Sequence, residues 1–538
     1  MSLVQISVVQ LRLFVNLNSQ KNITPDGSVL IIDYGSQLTQ LIAKRARSVG
    51  VYSEVVPYDT LWTEFNVDSY RAFIISGGPM SASDATAIPL PQTLLRTEKP
   101  MLFICYGAQR LAHELGGLVE SSQKREYGST VITLTVTDDP LFRQWPEESC
   151  VLMSHSDHIE VLPSDCMPLA YTNNGVLAAF KHNHKPYYAV QFHPEAEETV
   201  YGNALFENFL LTICGEGPNW SMQYYLEEEV KVIRQCVGDQ LVLLGLSGGV
   251  DSLVSAAILH RAIGKQLYCV FVDHGLMRLH ETQQVQSYVQ EHFDFNFIQV
   301  DASQQFFSAL EGIIDPEEKR KIVGKLFIDT FLQVATEQIH QHHVTFLAQG
   351  TIYSDVIESA HGGKSQLIKS HHNVGGLPEE LSLQLIEPLR YLFKDEVRAL
   401  GLALGIHRDL IMRHPFPGPG LTIRVLGEVK ESYVKILQLA DNLLIEELHT
   451  SGWYEKVSQA FCVFAPVKSV GVKGDNRSYE YTIVIRIIQS DDFMTGKFAK
   501  LPWDLLEKIG ARIVNEVAHV SRVVYDITNK PPATVEWE

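Results

Sequence analysis

Residues 100–117 read PMLFICYGAQRLAHELGG, and this stretch decides how the rest of the chain is read. Met101 to Ile104 form a short apolar run, Gly107 permits a sharp turn, and a helix-forming segment follows. A buried strand that turns directly into a helix is the building unit of a sheet covered by helices. Cys105 stands on the turn, in the nucleophile-elbow position, where a side chain is held clear of the backbone. The adjoining helix N-terminus carries partial positive charge, which lowers a thiol pKa. Taken alone, a cysteine at a strand end is more often a small core residue, so its neighbours must decide.

The same alternation surrounds it. VLIIDYG at 29–35, QLTQLIAKRARSVG at 37–50 and VYSEVV at 51–56 read as strand, helix and strand, with further apolar strands at 72–76 and 101–105. After the turn GEGPNW at 215–220 the pattern restarts: helix 221–236, strand 241–247, helix 253–264, strand 267–273, helix 281–293 and strand 295–301. HPFPGPG at 414–420 closes this second run, because a chain so rich in proline continues neither helix nor central strand. A helix at 430–449, strands at 460–466 and 481–488, a helix at 503–519 and the strand 521–527 complete the chain. The expected fold class is therefore α/β. Two mostly parallel-sheet α/β domains span 28–218 and 219–414, the second Rossmann-like, and a small α+β domain spans 415–538. Residues 1–27 read as an N-terminal extension. Gln10 and Arg12 interrupt its apolar core and no cleavage signal follows, so a strand around Leu11 to Leu17 is the most it predicts.

Composition narrows the function. Lys and Arg number 44 against 63 Asp and Glu in 538 residues, a net charge of −19. This disfavours a protein that coats nucleic acid or an anionic membrane, both of which need basic surface. It says nothing against small anionic substrates, because charges beyond a Debye length of ~8 Å are screened. No apolar run approaches the ~20 residues of a membrane span. Seven scattered cysteines without a CxxC pair predict neither a disulfide framework nor a structural zinc site, and a reducing cytoplasm is expected.

AVQFHPEA at 189–196 changes the odds on Cys105. His193 and Glu195 emerge together from another strand end, so nucleophile, general base and orienting acid are available at sheet ends. FIISGGPMS at 73–81 adds Gly77 and Gly78, whose backbone N–H groups can approach an oxyanion. Through DYGSQ, SGGP, CYGAQ and FHPE, residues 28–218 resemble the class I glutamine amidotransferases. The resemblance implies that Cys105 forms a glutamyl thioester and releases ammonia, with His193 as base and Glu195 orienting it. It also implies an oxyanion hole from the Gly78 and Tyr106 N–H groups, and Gln109 lining the glutamine pocket. Ala108 and Ser156 depart from the usual pattern. Ser156 bears on a loop expected to follow the sheet.

LVLLGLSGGVDSLVSAAIL at 241–259 is a strand, a glycine loop and a helix. Backbone N–H groups from Ser247 through Gly248, Gly249, Val250 and Asp251 to Ser252 would converge at the helix N-terminus, a setting that suits phosphate. No GK[ST] follows, so the loop fits pyrophosphate as leaving group better than a transferable γ-phosphate. SGGVDS resembles the signature of N-type ATP pyrophosphatases, which adenylate a carbonyl oxygen and then displace AMP. That resemblance makes Asp251 the carboxylate associated with the Mg²⁺ of the ATP.

The segments DPEEKRKIVG, AQGTIYSDVIES, IKSHHNVGGLP, RHPFPGPGL, VSQAF, SVGVKGDNRSY, DFMTG and SRVVYDITNKPPATVEWE resemble the GMP synthetase (glutamine-hydrolysing) family from about residue 28 to residue 538. The resemblance implies conversion of xanthosine 5′-monophosphate (XMP), ATP and glutamine to GMP, and a homodimer. It also implies an XMP-binding set of Arg320, Gln459, Asp475, Arg477, Lys530 and Glu536. Cations for the 5′-phosphate with amide and carboxylate groups for base and ribose make physical sense. Lys369 is expected on a lid over the adenylate. His371, His372 and Asn373 make a poor metal site, since adjacent residues on an extended chain face opposite ways. Two other readings stay open: a glutamine-dependent adenylating synthetase for another acceptor, and a nucleotide-sensing regulator without chemistry.

Overall fold

The apolar segment SVLIID forms β1 (Ser28–Asp33), buried along its whole length, as a strand covered on both faces must be. The computed structural model describes residues 25–60, 66–84, 87–342, 344–361, 383–473, 475–490, 493 and 495–538. The expectations for the N-terminal extension, for Lys369 and for His371, His372 and Asn373 fall outside them. The chain divides into two compact units, one of Met1–Glu228 with Ile357–Lys364 and the other of Glu229–Val356 with Ser365–Glu538.

In the first unit β2 (Ser53–Pro57), β3 (Tyr70–Ile75) and β4 (Met101–Ile104) join β1. The long strands β5 (Leu118–Leu134) and β6 (Glu148–Val161) follow, then β7 (Cys166–Thr172), β8 (Leu177–His182) and β9 (Tyr187–Val190). They form one nine-stranded sheet in the order β2-β1-β3-β4-β9-β8-β7-β5-β6. From β2 to β9 every pairing is parallel. Helices α1 (Thr39–Ser48) and α2 (Tyr106–Glu114) belong to this half. From β9 to β6 the pairings turn antiparallel, an extension that apolar periodicity did not announce. Ser156 consequently lies within β6 and not in a loop. A bulge between Ser121 and Glu126 on the facing strand adjusts the register there.

The second unit opens with a five-stranded, wholly parallel sheet. Its strands are β10 (Leu241–Gly245), β11 (Leu267–Asp273), β12 (Asn296–Asp301), β13 (Val344–Ala348) and β14 (Gln384–Ile386), in the order β12-β11-β10-β13-β14. The chain builds outward from β10 through β11 to β12, then crosses to the other side as β13. Such a reversal opens a crevice at the carboxyl end of the central strand, where α/β sheets bind ligands. Helices α3 (Val250–Ile263), α4 (Pro316–His342) and α5 (Lys394–Ala403) connect and cover this sheet.

Helix α6 (Glu431–Thr450), strands β15 (Gln459–Lys473), β16 (Asn476–Gln489) and β17 (Lys497–Phe498), helix α7 (Trp503–Glu516) and β18 (Val520–Tyr525) form the α+β segment. Its core is continuous with that of the parallel sheet: Leu243 and Val270 belong to the same buried cluster as Leu444, Ile485 and Ile509. Strands β15 and β16 run well past the expected limits of 460–466 and 481–488. Pro466, at the expected limit of β15, cannot donate to a ladder. The structure instead places it in a register shift between Ala465 and Lys468, and pairing resumes beyond it to Lys473↔Asn476.

Candidate active sites

Parallel topology brings three strand ends together in the first unit. Strands β3, β4 and β9 are successive neighbours, so Gly77 and Gly78, Cys105, and His193 with Glu195 all leave the sheet at one edge. Cys105 has φ 51° and ψ −107°, a strained backbone that β-carbon-bearing residues avoid. The strained turn sets the thiol at the start of α2, clear of the backbone as a nucleophile elbow requires, in a buried setting. Glu195 accepts from or faces His193 Nδ1 at 2.8 Å, and both side chains are buried. Burial alone would lower the His193 pKa. The Glu195 carboxylate and the Cys105 thiol on its other side outweigh that and raise it well above the usual value.

The glycines leave no room for side chains. A Cβ on Gly77 would lie 3.2 Å from His193 Cε1, and one on Gly78 would lie 2.7 Å from the Tyr34 carbonyl oxygen. Tyr106 is anchored by its hydroxyl, which accepts from the Ile88 N–H at 3.1 Å. Gln109 is fixed too: its Nε2 donates to the Asp157 carbonyl at 2.8 Å and to Gln191 Oε1 at 3.2 Å.

Gln191 and Arg45 were not picked out from the sequence. Gln191 Nε2 points at Cys105 Sγ from 3.7 Å, and Arg45 Nε donates to the Glu195 carbonyl at 3.1 Å. Gln191 directly follows β9, two residues before His193, and its closeness in sequence was the signal available. Arg45 carried none, since it sits on the distant helix α1.

Glu195→Gln tests the acid's role. It keeps the shape but withdraws the charge that raises His193, so glutamine hydrolysis should fall by about 10²–10⁴. The acidic limb of its pH–rate profile should move to lower pH, because the general base His193 without its carboxylate loses its proton sooner. The same raised pKa gives a stability contribution that is complete below the unfolded histidine value of ~6.5 and is lost as pH rises through the folded value.

The second site lies at the carboxyl end of β10. Gly248 has φ +77°, and Gly249 caps α3. Ser252 Oγ accepts from the Ser247 N–H at 3.2 Å and donates to the Gly249 carbonyl at 3.0 Å, so the loop is braced by its own hydroxyls. The Asp251 carboxylate is held by Lys394. The described residues contain no cluster of three or more metal-ligating side chains. A lone aspartate at a phosphate loop nonetheless fits Mg²⁺, which takes one or two carboxylates and completes its shell from phosphates and water.

The expected XMP set is brought together only in part. Glu536 accepts from Gln459 Nε2 at 2.9 Å and receives a bidentate grip from Arg424 at 2.9 and 3.1 Å. Arg424 is fully buried and packs 4.0 Å over the Phe461 ring; sequence reading missed it. Arg320 donates to the Glu538 main-chain oxygen, beside Lys319, whose buried ammonium binds the Glu538 carboxylate and the Val425 carbonyl. Lys530 donates to the Phe493 carbonyl on the same carboxy-terminal segment. Asp475 and Arg477 stand apart, exposed at the tip of the β15–β16 hairpin. Thirteen positions of β15 separate Gln459 from Val472, the partner of Arg477, which is about 40 Å of strand.

Fold and geometry together define a class: a cysteine-dependent glutamine amidotransferase on one chain with a nucleotide-adenylating ATP pyrophosphatase. Comparison with known proteins agrees with that division. Class-I glutamine amidotransferase matches residues 30–213, NAD synthase matches 223–325, and the GMP synthase C terminal domain matches 446–537. The glutamine-hydrolyzing GMP synthase of Francisella tularensis subsp. tularensis (strain FSC 198) is 50% identical over 512 residues, covering 95% of this chain and 98% of that protein. The corresponding enzyme of Hahella chejuensis (strain KCTC 2396) is 49% identical over 520 residues, with the same coverage of each chain. The chain belongs to the glutamine-hydrolyzing GMP synthase family.

Proposed function

We propose that this chain aminates XMP to GMP, using ammonia released from glutamine and activation by ATP. The observation that carries the reading is the joint presence of a formed Cys105–His193–Glu195 triad and an SGGVDS loop at the switch point of a second sheet. In the first unit Cys105 attacks the glutamine carboxamide with His193 as base and Glu195 orienting it. The Gly78 and Tyr106 N–H groups receive the oxyanion, and Gln109 lines the pocket. In the second unit the C2 oxygen of XMP attacks the α-phosphorus of ATP, pyrophosphate leaves into the Ser247–Ser252 loop, and ammonia then displaces AMP. Asp251 would hold the Mg²⁺ that accompanies ATP. Functionally we divide the chain at about 218 and 414, giving ammonia production to 28–218, adenylation to 219–414 and completion of the XMP site to 415–538.

The working form proposed is a homodimer. Among the described residues no third strand pairs with the β15–β16 hairpin between Asn476 and Glu480, since β18 pairs only from Tyr481 to Ile485. This two-stranded arm carries Val467, Val470, Val472 and Tyr479 in exposed positions. An isolated hairpin is marginal in water, and clustered exposed apolar residues mark an interaction surface. A second copy of the chain supplies that surface by symmetry. The arm would then deliver Asp475 and Arg477 to the partner's XMP site, which explains why they lie far from Gln459.

No described helix is long and apolar enough to cross a membrane. All seven cysteines are free, which supports a reducing cytoplasm as the place of action. The reading is tested by supplying ATP, glutamine and a panel of nucleotide acceptors. GMP and AMP should form together with XMP, and AMP release with another acceptor in its place would transfer the reading to a different synthetase.

A further inference from the structure

Glu126 and His155 stand opposite each other on β5 and β6, brought into register by the bulge after Ser121. Both side chains are buried, 4% and 1% exposed. Strand β6 borders the triad: the Leu152 carbonyl accepts from the His193 N–H at 2.9 Å, and the Ser154 carbonyl lies 3.8 Å from Cys105 Sγ. A carboxyl and an imidazole buried together need partners, and the triad uses neither of them.

His155 Nδ1 lies 2.8 Å from the Asp157 carbonyl, and since a carbonyl oxygen only accepts, Nδ1 is the donor. That leaves Nε2, which faces Glu126 Oε2 at 3.4 Å. Neither atom has another hydrogen-bond partner among the described residues. Two lone pairs buried face to face repel, so a proton lies between them. Burial pulls the imidazole pKa below its usual value, and the Glu126 carboxylate pulls the other way. Glu126 is itself fixed, its Oε1 accepting from Thr172 Oγ1 at 3.1 Å and from Asn174 Nδ2 at 2.9 Å. The Asp157 carbonyl that His155 holds is the one to which Gln109 Nε2 donates at 2.8 Å. One line of contacts thus runs from the turn between β7 and β8 to the residue that lines the proposed glutamine pocket.

We propose that Glu126 is a positioning residue for glutamine binding. It holds His155 in the form that carries hydrogen on Nδ1, His155 fixes the Asp157 carbonyl, and that carbonyl sets the Gln109 amide in the pocket. Without Glu126 the ring is free to take its other tautomer, which turns a bare Nδ1 on the Asp157 carbonyl and loosens Gln109. The chemistry of Cys105 runs through His193 and Glu195 and is left as it was. Charge at position 126 is dispensable, because an amide there can keep Oε1 as acceptor and donate to His155 Nε2. The proposal rests on the reading of Gln109 as part of the glutamine pocket.

Glutaminase kinetics of the full chain with saturating ATP and XMP, together with the rate at which iodoacetamide inactivates the glutaminase, test it. Glu126→Met should raise KM for glutamine by about tenfold or more, with kcat within about threefold and the inactivation rate within about twofold. Glu126→Gln should keep KM within about threefold of the unaltered chain. Asn174→Ala takes one donor from Oε1 at an exposed turn and should raise KM by about threefold, a test that stands even if Glu126→Met does not fold. The proposal is overturned by an unchanged KM in Glu126→Met or in Asn174→Ala. It is equally overturned if Glu126→Gln is as damaged as Glu126→Met, or if kcat and the inactivation rate fall along with glutamine affinity. Gln109→Leu separates the two readings. If it leaves KM unchanged, the pocket reading fails and takes this proposal with it. If it raises KM and Glu126→Met does not, only the role of Glu126 is refuted.

Discussion

Cys105→Ala should make no GMP from glutamine and normal amounts from an ammonium salt. The substitution removes a single heavy atom, the sulfur proposed to attack the carboxamide, and leaves the Cβ in place. The strained elbow at φ 51° is therefore no worse for alanine than for cysteine. Gln191 loses a weak contact at 3.7 Å, and the carbonyl of Ser154, 3.8 Å from the sulfur, loses another. Neither supports the sheet, whose β4–β9 junction is held by the Cys105 N–H donating to the Val190 carbonyl at 2.8 Å. Glutamine hydrolysis should fall by about 10⁴–10⁶, the scale seen when a nucleophile is deleted from a triad. The loop proposed for adenylation, Ser247–Ser252, belongs to the second unit, so ammonia-dependent synthesis should stay within about twofold of the unaltered chain. Loss of both activities in a chain that melts normally would show that the division of labour is wrong.

Legibility in the sequence followed how local the determinants were. Cys105 and Gly107 share one turn, and His193 and Glu195 share one strand end, so local order nearly dictates their geometry. What remained was to bring β3, β4 and β9 side by side, and parallel topology did so. Strands β5 and β6 were missed because they are long, polar on one face and without the apolar runs that mark covered strands. The limits of β15 were misjudged at Pro466, where a bulge absorbs the missing donor. Lys394 and Arg424 were invisible for another reason. Each begins or ends an ordinary segment, and its partner, Asp251 or Glu536, lies more than a hundred positions away. Only packing pairs them.

Packing also governs the second large effect, expected when two damaged chains are mixed. Arg477→Ala removes an exposed cation from the hairpin tip, and Glu536→Gln removes the carboxylate that Arg424 and Gln459 hold. Each variant alone should lose most XMP-dependent activity. The first loses the proposed phosphate contact, and the second leaves the fully buried Arg424 without its counter-ion. If the arm serves its own chain, mixing repairs nothing, because every site still carries one lesion. If it serves the partner, a hybrid dimer holds one site built from an intact Glu536 and an intact Arg477, while its other site carries both lesions. Random reassortment makes half the dimers hybrid, so activity should return to about a quarter of the unaltered level. Recovery should require conditions that let subunits exchange, and should be absent when the dimers are mixed and assayed at once. About 40 Å of strand separates Gln459 from the arm tip, and the proposed sharing of the site between chains rests on that separation. Mixed samples that stay at the level of the weaker parent after exchange would show that Arg477 acts outside the XMP site.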